Sequence, residues 1–207
     1  MSALHLVIRP DHPEPRKISM AADVLSHGGV ALYPTDTVYA LGCSLDARKT
    51  VDRVYRLKQM DSRQPLAMIC ADLSDIARYA VVTNFAYRVM RRILPGPYTV
   101  VLEATREVPR LLLSKQRTVG IRVPASPICE ALVRALGRPL LTSSAVPPGL
   151  ERACIDAADG KASWPHGLDL TIDGGPTPGE NSTVVSLIHD EITVLREGLG
   201  AVDGVLK

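Results

Sequence analysis

The sequence predicts an α/β protein built on one twisted mixed sheet. Strand-like apolar runs alternate with amphipathic helical segments along most of the chain, whereas the last third contains three strand-like runs in succession. Alternation favours parallel pairing and successive strands favour antiparallel pairing, so both kinds are expected in the sheet. A length of 207 residues with 46% hydrophobic residues and no repeat or linker predicts a single domain over residues 1–207.

The first half of the chain opens with a strand, "LHLVI", and the proline-rich "RPDHPEPRK", in which no regular structure is expected. Helical spacing predicts a helix over "KISMAADVLSHGG", which Gly28 and Gly29 end, before a buried strand, "VALYP". Asp46 is the expected N-cap of a helix over "ARKTVDRVYRLKQ". A strand over "QPLAMIC" and helices over "LSDIARYA" and "NFAYRVMRRIL" follow.

The second half continues with strands over "YTVVLEA" and "TVGIRVP". Ser126 and Pro127 have the residue types of an N-cap and a first helical position, so they predict the start of the helix "ICEALVRAL", which Gly137 ends. "PLLTSSA" is strand-like, and the polar, Gly- and Pro-punctuated segment after it predicts little sheet structure. Three short strands over "LDLTIDGG", "STVVSLI" and "EITVLREG" complete the chain.

Common catalytic and metal-binding signatures are absent from this sequence. It contains no P-loop, G-x-G-x-x-G or G-x-S-x-G motif, its four cysteines are far apart, and no carboxylates are paired. We therefore assign no catalytic residue, expect no structural metal, and expect any enzyme to act by positioning and charge stabilisation. The charged N-terminus and the lack of an apolar run near ~20 residues predict a soluble, reduced, cytoplasmic protein.

Six strands end in a hydroxyl or a cation next to Pro or Gly: "YPTDT", "PGPYT", "GIRVP", "LLTSSA", "NSTVV" and "LREG". A single such end is typical of an ordinary strand-to-turn exit. Six of them favour a ligand-binding cleft, since ligands of open α/β sheets collect at strand ends. Arg122, between two apolar residues and before Pro124, is interpreted either as a salt-bridged surface arginine or as a cleft residue that binds a carboxylate or phosphate.

Basic residues are clustered in two helical segments. Arg53, Arg56, Lys58 and Arg63 form the first cluster, and Arg88, Arg91 and Arg92 form the second. Such faces are usually only solvated, and the net charge of +2 does not indicate a nucleic-acid binder. Two clusters near one cleft nevertheless make a polyanionic partner a hypothesis to test.

The order of the motifs resembles the YrdC/YciO-like family, the fold of the threonylcarbamoyl-AMP synthases. The matching segments run from about residue 30 to residue 198: "YPTDTVYALG", "RLKQ" with "QPLAMI", "PGPYTVVL", "VGIRVP", "LLTSSA", "STVVSL" and "VLREG". The resemblance implies the YrdC-like (YrdC/RibB) fold with a concave, basic cleft. It also implies a nucleotidyltransferase that converts L-threonine, bicarbonate and ATP to threonylcarbamoyl-AMP and pyrophosphate, ahead of tRNA threonylcarbamoyladenosine modification.

The resemblance also implies roles for particular residues. Thr35, Thr37 and Arg122 would bind threonine, with Arg122 on its carboxylate. The residues implied for the nucleotide and its phosphates are Lys58, Gln64, Thr118, Ser144, Ser182 and Arg196. ATP enters as a substrate that carries Mg²⁺ on its phosphates.

Three departures from the synthase pattern place the chain closer to the YciO branch. Met60 stands where synthases have the Arg of Lys-x-Arg, Ile69 replaces a His, and Val146 replaces the Asn of Ser-x-Asn. Three hypotheses therefore remain open. The chain is a synthase-type enzyme, a module that binds double-stranded RNA or tRNA, or an enzyme that hydrolyses a threonylcarbamoyl or adenylate compound.

Overall fold

The computed structural model describes residues 3–61, 64–109, 113 and 116–206. Within them, ten strands form one sheet. The strands are β1 Leu4–Val7, β2 Ala31–Pro34, β3 Tyr39–Ser44, β4 Ala67–Ile69, β5 Tyr98–Glu103, β6 Thr118–Arg122, β7 Leu140–Ser144, β8 Leu170–Asp173, β9 Thr183–Ser186 and β10 Thr193–Arg196. The helices are α1 Pro15–Ser26, α2 Arg48–Lys58, α3 Leu73–Tyr79, α4 Asn84–Ile93, α5 Pro127–Leu136, α6 Ala157–Ser163 and α7 Asp203–Leu206, with a 3-10 segment at Ile188–Asp190.

The sheet is mixed, as the sequence predicts. Its strand order is β1-β8-β2-β3-β7-β4-β6-β5-β9-β10. β8 pairs in parallel with both β1 and β2, and β5 pairs in parallel with β9, whereas β2–β3, β3–β7, β5–β6 and β9–β10 are antiparallel. Of the three strands that end the chain, β9 and β10 are neighbours, but β8 lies at the other side of the sheet.

Helix ends confirm some of the predicted capping and correct the rest. The Ser126 side chain accepts a hydrogen bond from the Cys129 N–H, and Gly137 ends α5 with a φ of 68°. The expected Asp46 cap is wrong, because α2 begins after Ala47 without a side-chain cap. The proline-rich segment is also shorter than expected, since Pro15 is the first residue of α1, where a missing N–H costs no hydrogen bond.

The strand β3 was not predicted, because its residues follow directly on the polar Pro-Thr-Asp-Thr turn. All six of its residues are buried. At Gly42 a Cβ would lie 2.4 Å from the Leu141 carbonyl oxygen and 2.8 Å from the Tyr33 ring, so glycine allows β3 to approach β7 closely. The polar segment after β7 contains the helix α6, whose start is capped by the Asp156 carboxylate.

Side chains of the central strands alternate between two cores, one on each face of the sheet. Ala31 and Tyr33 of β2 pack in the core that α1 and α5 cover, whereas Leu32 packs in the core formed with α2, α3, α4 and α6. Leu140 and Leu141 of β7 divide in the same way. Among the described helices, none is long and apolar enough to cross a membrane.

Candidate ligand-binding site

A cavity of about 260 Å³ lies on the sheet face that α1 and α5 cover elsewhere. Val119 and Ile121 of β6 point into the opposite core, so Thr118, Gly120 and Arg122 alternate onto the cavity side. The polar side chains that line this cavity, called here the sheet cavity, include Thr99, Thr118, Arg122, Ser144, Ser182 and Arg196.

Arg122 is held in the cavity wall by the turn between β2 and β3. Its Nη2 donates to Asp36 Oδ1 at 2.8 Å and to Thr37 Oγ1 at 2.9 Å. The second carboxylate oxygen of Asp36 accepts from the Ala125 N–H at 2.9 Å. The two charged side chains are only 6% and 8% exposed, so Arg122 is a buried, salt-bridged residue of the cavity rather than a surface arginine.

The Nε of Arg122 is buried and has no hydrogen-bond partner among the described residues. A buried N–H without an acceptor costs about 1–3 kcal/mol, and native structures contain few of them. The guanidinium therefore retains an unused Nε–H donor beside Nη2, which Asp36 and Thr37 already engage. A carboxylate or phosphate oxygen of a ligand is the kind of acceptor that would satisfy it.

Thr35 and Thr37 lie behind Arg122 rather than on the cavity wall. Their hydroxyl oxygens are 2.9 Å apart, and Thr35 Oγ1 donates to the Val38 carbonyl oxygen at 2.7 Å. Thr37 is fully buried, and neither threonine belongs to the cavity lining. Their observed contacts fix the turn that carries Asp36, which differs from the expected position facing the cleft.

Arg196 enters the cavity from β10 and is anchored on Ser182. Its Nη2 and Nε donate to the Ser182 carbonyl oxygen at 2.8 and 3.2 Å, and Ser182 Oγ lies 2.8 Å from Thr99 Oγ1. Burial, and then the positive charge of Arg122, lowers the pKa of Arg196. Among the described residues, Arg196 has no carboxylate partner within ion-pair distance, so its charge is available to an anion.

Lys58 contacts the opposite wall of the cavity from the end of α2. Its Nζ donates to the Ser144 carbonyl oxygen at 2.7 Å and to Ser143 Oγ. Burial lowers the pKa of Lys58 to about 8. A third cation therefore bonds to the cavity wall, although its charge is easily lost at alkaline pH.

The structure thus brings together most of the residues that the sequence selected. Gln64 is the exception on the nucleotide side. It is exposed, does not line the cavity, and contacts Tyr55 only through its carbonyl oxygen, at 2.8 Å. Two residues that bond to lining side chains, but do not belong to the lining themselves, were not selected from the sequence. They are Asp36, which pairs with Arg122, and Asn181, whose Oδ1 accepts from Ser144 Oγ at 2.8 Å.

The three departures from the synthase pattern occupy different environments. Met60 packs partly against the core on the α2 side, and Ile69 is fully buried under α1 and α5. Val146 is half-buried just beyond β7, where its N–H donates to the Ser144 carbonyl oxygen.

The second basic cluster does not border the sheet cavity, contrary to expectation. Arg88, Arg91 and Arg92 are exposed on α4, whose Val89 and Met90 pack in the core of the opposite face. In the first cluster, Arg53 pairs with Asp169 at 2.8 Å. Its member Arg63 lies outside the described residues.

The described residues contain no group of three or more His, Cys, Asp or Glu side chains that could hold a metal ion. Their four cysteines are free and buried. Burial raises the pKa of Cys43, Cys70 and Cys129 to about 12. These thiols are therefore protonated at neutral pH and offer no nucleophile to the cavity.

Comparison with known proteins places the chain among relatives of the same fold. It is 41% identical to the YciO protein of Escherichia coli K12 over 196 residues, which cover 94% of this chain and 95% of that one. It is 33% identical to the threonylcarbamoyl-AMP synthase of Bos taurus over 182 residues, which cover 84% of this chain and 65% of the synthase.

Solved structures agree with these similarities. The crystal structure of E. coli YciO matches with a TM-score of 0.93 at 39% identity and covers 98% of this chain and 99% of that one. The structure of P. abyssi Sua5 complexed with L-threonine matches with a TM-score of 0.88 at 29% identity, over 95% of this chain and 58% of that one. The family model described as "Telomere recombination" (Sua5, YciO, YrdC) matches residues 23–198. The chain therefore belongs to the Sua5/YciO/YrdC family, which includes threonylcarbamoyl-AMP synthases.

Proposed function

We propose that this chain binds L-threonine, bicarbonate and ATP in the sheet cavity and forms threonylcarbamoyl-AMP, with release of pyrophosphate and water. The product would serve tRNA threonylcarbamoyladenosine modification. The observation that carries the proposal is Arg122, whose Nη2 is fixed by Asp36 and Thr37 while its buried Nε has no partner among the described residues.

Arg122 is suited to the amino-acid carboxylate. Its Nη2 is already bonded to Asp36 and Thr37, so the donor that it offers to the carboxylate is the unpartnered Nε–H. A guanidinium that is already fixed loses less side-chain entropy when it binds a carboxylate oxygen. The L-threonine complex of P. abyssi Sua5, which shares this fold, supports threonine as the amino acid.

The other two cations at the cavity, Arg196 and Lys58, are suited to the nucleotide phosphates. Arg196 has no carboxylate partner among the described residues, and it lies beside the Ser182 hydroxyl. Lys58 bonds to the wall that contains Ser144. We propose that Mg²⁺ arrives on the ATP phosphates, where it keeps mainly oxygen and water ligands. Catalysis would then depend on bringing the three substrates together and on stabilising negative charge.

Met60 and Val146 would make this enzyme slower than synthases that have Arg and Asn at these positions. A hydrogen bond to a charged group contributes about 1.5–3 kcal/mol, so each lost contact lowers the rate of the step it serves by roughly 10–150-fold. The proposal therefore predicts weak but substrate-dependent activity.

The test is a pyrophosphate-release assay with mass-spectrometric detection of threonylcarbamoyl-AMP. Release should require ATP, L-threonine and bicarbonate together. Arg122→Lys, which keeps the positive charge but lacks the Nε–H donor, should abolish the threonine-dependent release. If omitting threonine leaves the signal unchanged, the synthase proposal is wrong. If the protein instead consumes added threonylcarbamoyl-AMP without pyrophosphate, the site belongs to a hydrolase.

A second candidate function, binding of double-stranded RNA or tRNA, is favoured by one observation. Arg88, Arg91 and Arg92 are exposed on one helix and form no ion pair with a described carboxylate. Because they lie on the other face of the sheet, reversing their charge should weaken RNA binding and reduce its salt dependence without affecting threonine binding. Arg16→Glu on α1 is the matched control, and equal losses in both variants would contradict an RNA site on α4.

A further inference from the structure

An amide group joins the two ends of the sheet cavity. Ser144 ends β7 and Asn181 lies just before β9, and these strands are separated by β4, β6 and β5 in the sheet order. Four strand spacings of about 4.8 Å would keep the two strands roughly 19 Å apart in a flat sheet. Ser144 Oγ nevertheless donates to Asn181 Oδ1 at 2.8 Å, so the polypeptide before β9 returns to β7 and closes the rim.

The backbone holds Asn181 at this position. Its carbonyl oxygen accepts from the Leu199 N–H at 2.8 Å. The same oxygen would lie 2.2 Å from a Cβ at Gly198, so the segment after β10 packs directly against it. The backbone of Asn181 is therefore held by the segment after β10, and its side chain is held by Ser144.

The amide of Asn181 retains donors that the protein does not use. An asparagine side chain has one acceptor oxygen and two N–H donors, and here Ser144 occupies the oxygen. Among the described residues, no acceptor bonds to Nδ2. The buried side-chain atoms that lack a partner are Arg122 Nε and Thr171 Oγ1, and Nδ2 is not among them. These donors are therefore accessible at a rim whose neighbours, Ser144 and Ser182, both line the cavity.

The charges around this rim indicate which ligand the donors would meet. Arg196 donates to the Ser182 carbonyl and hydroxyl oxygens, one residue from Asn181. Lys58 donates to the Ser144 carbonyl oxygen, on the residue that bonds Asn181. An amide N–H beside residues that bond two cations suits the same kind of group as the cations do, which is an anionic oxygen.

We propose that Asn181 is a ligand-binding residue at the rim of the sheet cavity, beside the lining residues Ser144 and Ser182, and that its amide N–H groups donate to a phosphate oxygen of a bound nucleoside monophosphate. This inference rests on the proposed function, because it places an adenylate in the same cavity. It assigns to Asn181 the recognition of the phosphate, separately from the recognition of the threonine carboxylate by Arg122.

Titration calorimetry of AMP and, separately, of L-threonine tests this assignment in four proteins: wild type, Asn181→Asp, Asn181→Ala and Asn84→Asp. Asn181→Asp keeps the acceptor oxygen for Ser144 but replaces the N–H donors by a second anionic oxygen. We expect AMP affinity to fall at least about tenfold in this variant, with threonine affinity unchanged. Asn84 is the other asparagine of the chain and lies on α4, so Asn84→Asp is a matched control that should bind both ligands as the wild type does.

The pH dependence separates ligand binding from a structural role. The carboxylate that Asn181→Asp introduces repels phosphate only while it is ionised. The AMP affinity of this variant relative to wild type should therefore recover in part as the pH falls from about 6 to about 4, where an Asp carboxyl takes up its proton. Asn181→Ala, which also loses the Ser144 bond, should show the loss of affinity without this recovery.

The outcomes distinguish this inference from the proposed function. If wild type binds AMP and Asn181→Asp binds it equally well, the Asn181 assignment is wrong while the proposed function stands. Equal losses of AMP and threonine affinity in the two Asn181 variants would show that the residue only maintains the cavity, which also overturns the assignment. If wild type binds neither ligand, both proposals are overturned.

Discussion

One face of the sheet is used in two different ways. Under α1 and α5, the side chains directed to this face are apolar and buried, as at Tyr33, Leu140 and Leu170. Further along the same face, on β6 and β5, the corresponding positions are Thr118, Arg122, Thr99 and other cavity residues. The change occurs between two paired residues, since Ile69 of β4 is in register with Arg122 of β6.

This comparison indicates what covers each half of this face of the sheet, the apolar half and the polar half. Burying polar groups without partners costs free energy, so a sheet that only needed a core would place apolar residues at these positions. Helices cover the apolar half, here called the covered half. The other half, here called the open half, carries hydroxyls and guanidinium groups instead, which suits a polar ligand as its cover. The predictions below test this division, from the largest expected effect to the smallest.

The buried ion pair at the boundary should have the largest effect on stability. Removing the carboxylate with Asp36→Ala leaves Arg122 charged and buried, which costs about 3–5 kcal/mol for a pair of this kind. Denaturant unfolding measures the loss. The control is Glu130→Ala, which breaks the exposed pair with Arg134 and should cost less than about 1 kcal/mol. Similar losses in the two variants would contradict the buried role of Asp36.

The covered half should affect stability without affecting binding. Leu25 is fully buried in the core under α1, so Leu25→Ala should lower the free energy of unfolding by about 2–5 kcal/mol. AMP and threonine affinities, measured below the unfolding transition, should stay unchanged.

The open half should affect binding more than stability. Thr99→Val, which removes a hydroxyl that bonds Ser182, should lower AMP affinity several-fold while changing the unfolding free energy by less than about 1.5 kcal/mol. The comparison fails if both variants lose stability and affinity together.

Restoring the synthase-type residues should increase activity. Met60→Arg combined with Val146→Asn adds one cation two residues after Lys58 and one amide two residues after Ser144, so the rate of threonine-dependent pyrophosphate release should rise at least about tenfold. The control pair is Met20→Arg with Val81→Asn, at two exposed positions. An equal rate in the two double variants would contradict a synthase origin for this site.

Lys58 should produce a small but distinctive pH effect. Its folded-state pKa of about 8 lies below the ordinary value of 10.5, so the unfolded chain binds more protons between these two values. The contribution of Lys58 to stability should therefore rise as the pH increases from about 8 to about 10.5, and the unfavourable burial of the charge should be fully present below pH 8. Urea unfolding at several pH values measures this contribution as the difference between wild type and Lys58→Met. The buried cysteines, whose pKa values are raised to about 12, lower the stability of both proteins over the same pH range. Parallel pH profiles for the two proteins would contradict the lowered pKa.

The sequence predicted the convergence of Arg122, Ser144 and Arg196 because strand ends of an open sheet share an edge. It did not predict the position of β3, since a buried strand that begins directly after a polar turn has no alternating pattern. The Asp36–Arg122 pair joins residues 86 positions apart, and their contact depends on the sheet order. The position of the α4 arginines could not be predicted either, because a sequence indicates a charged helix face but not the side of the sheet on which that helix lies.

The central claim is that the open half of the sheet is completed by a ligand. A crystal structure of the protein with L-threonine and AMP tests it most directly. We expect the threonine carboxylate within hydrogen-bond distance of Arg122 Nε and the phosphate between Arg196 and Asn181. Density for either ligand only on the α4 face, or an empty sheet cavity at saturating concentrations of both ligands, would contradict the claim.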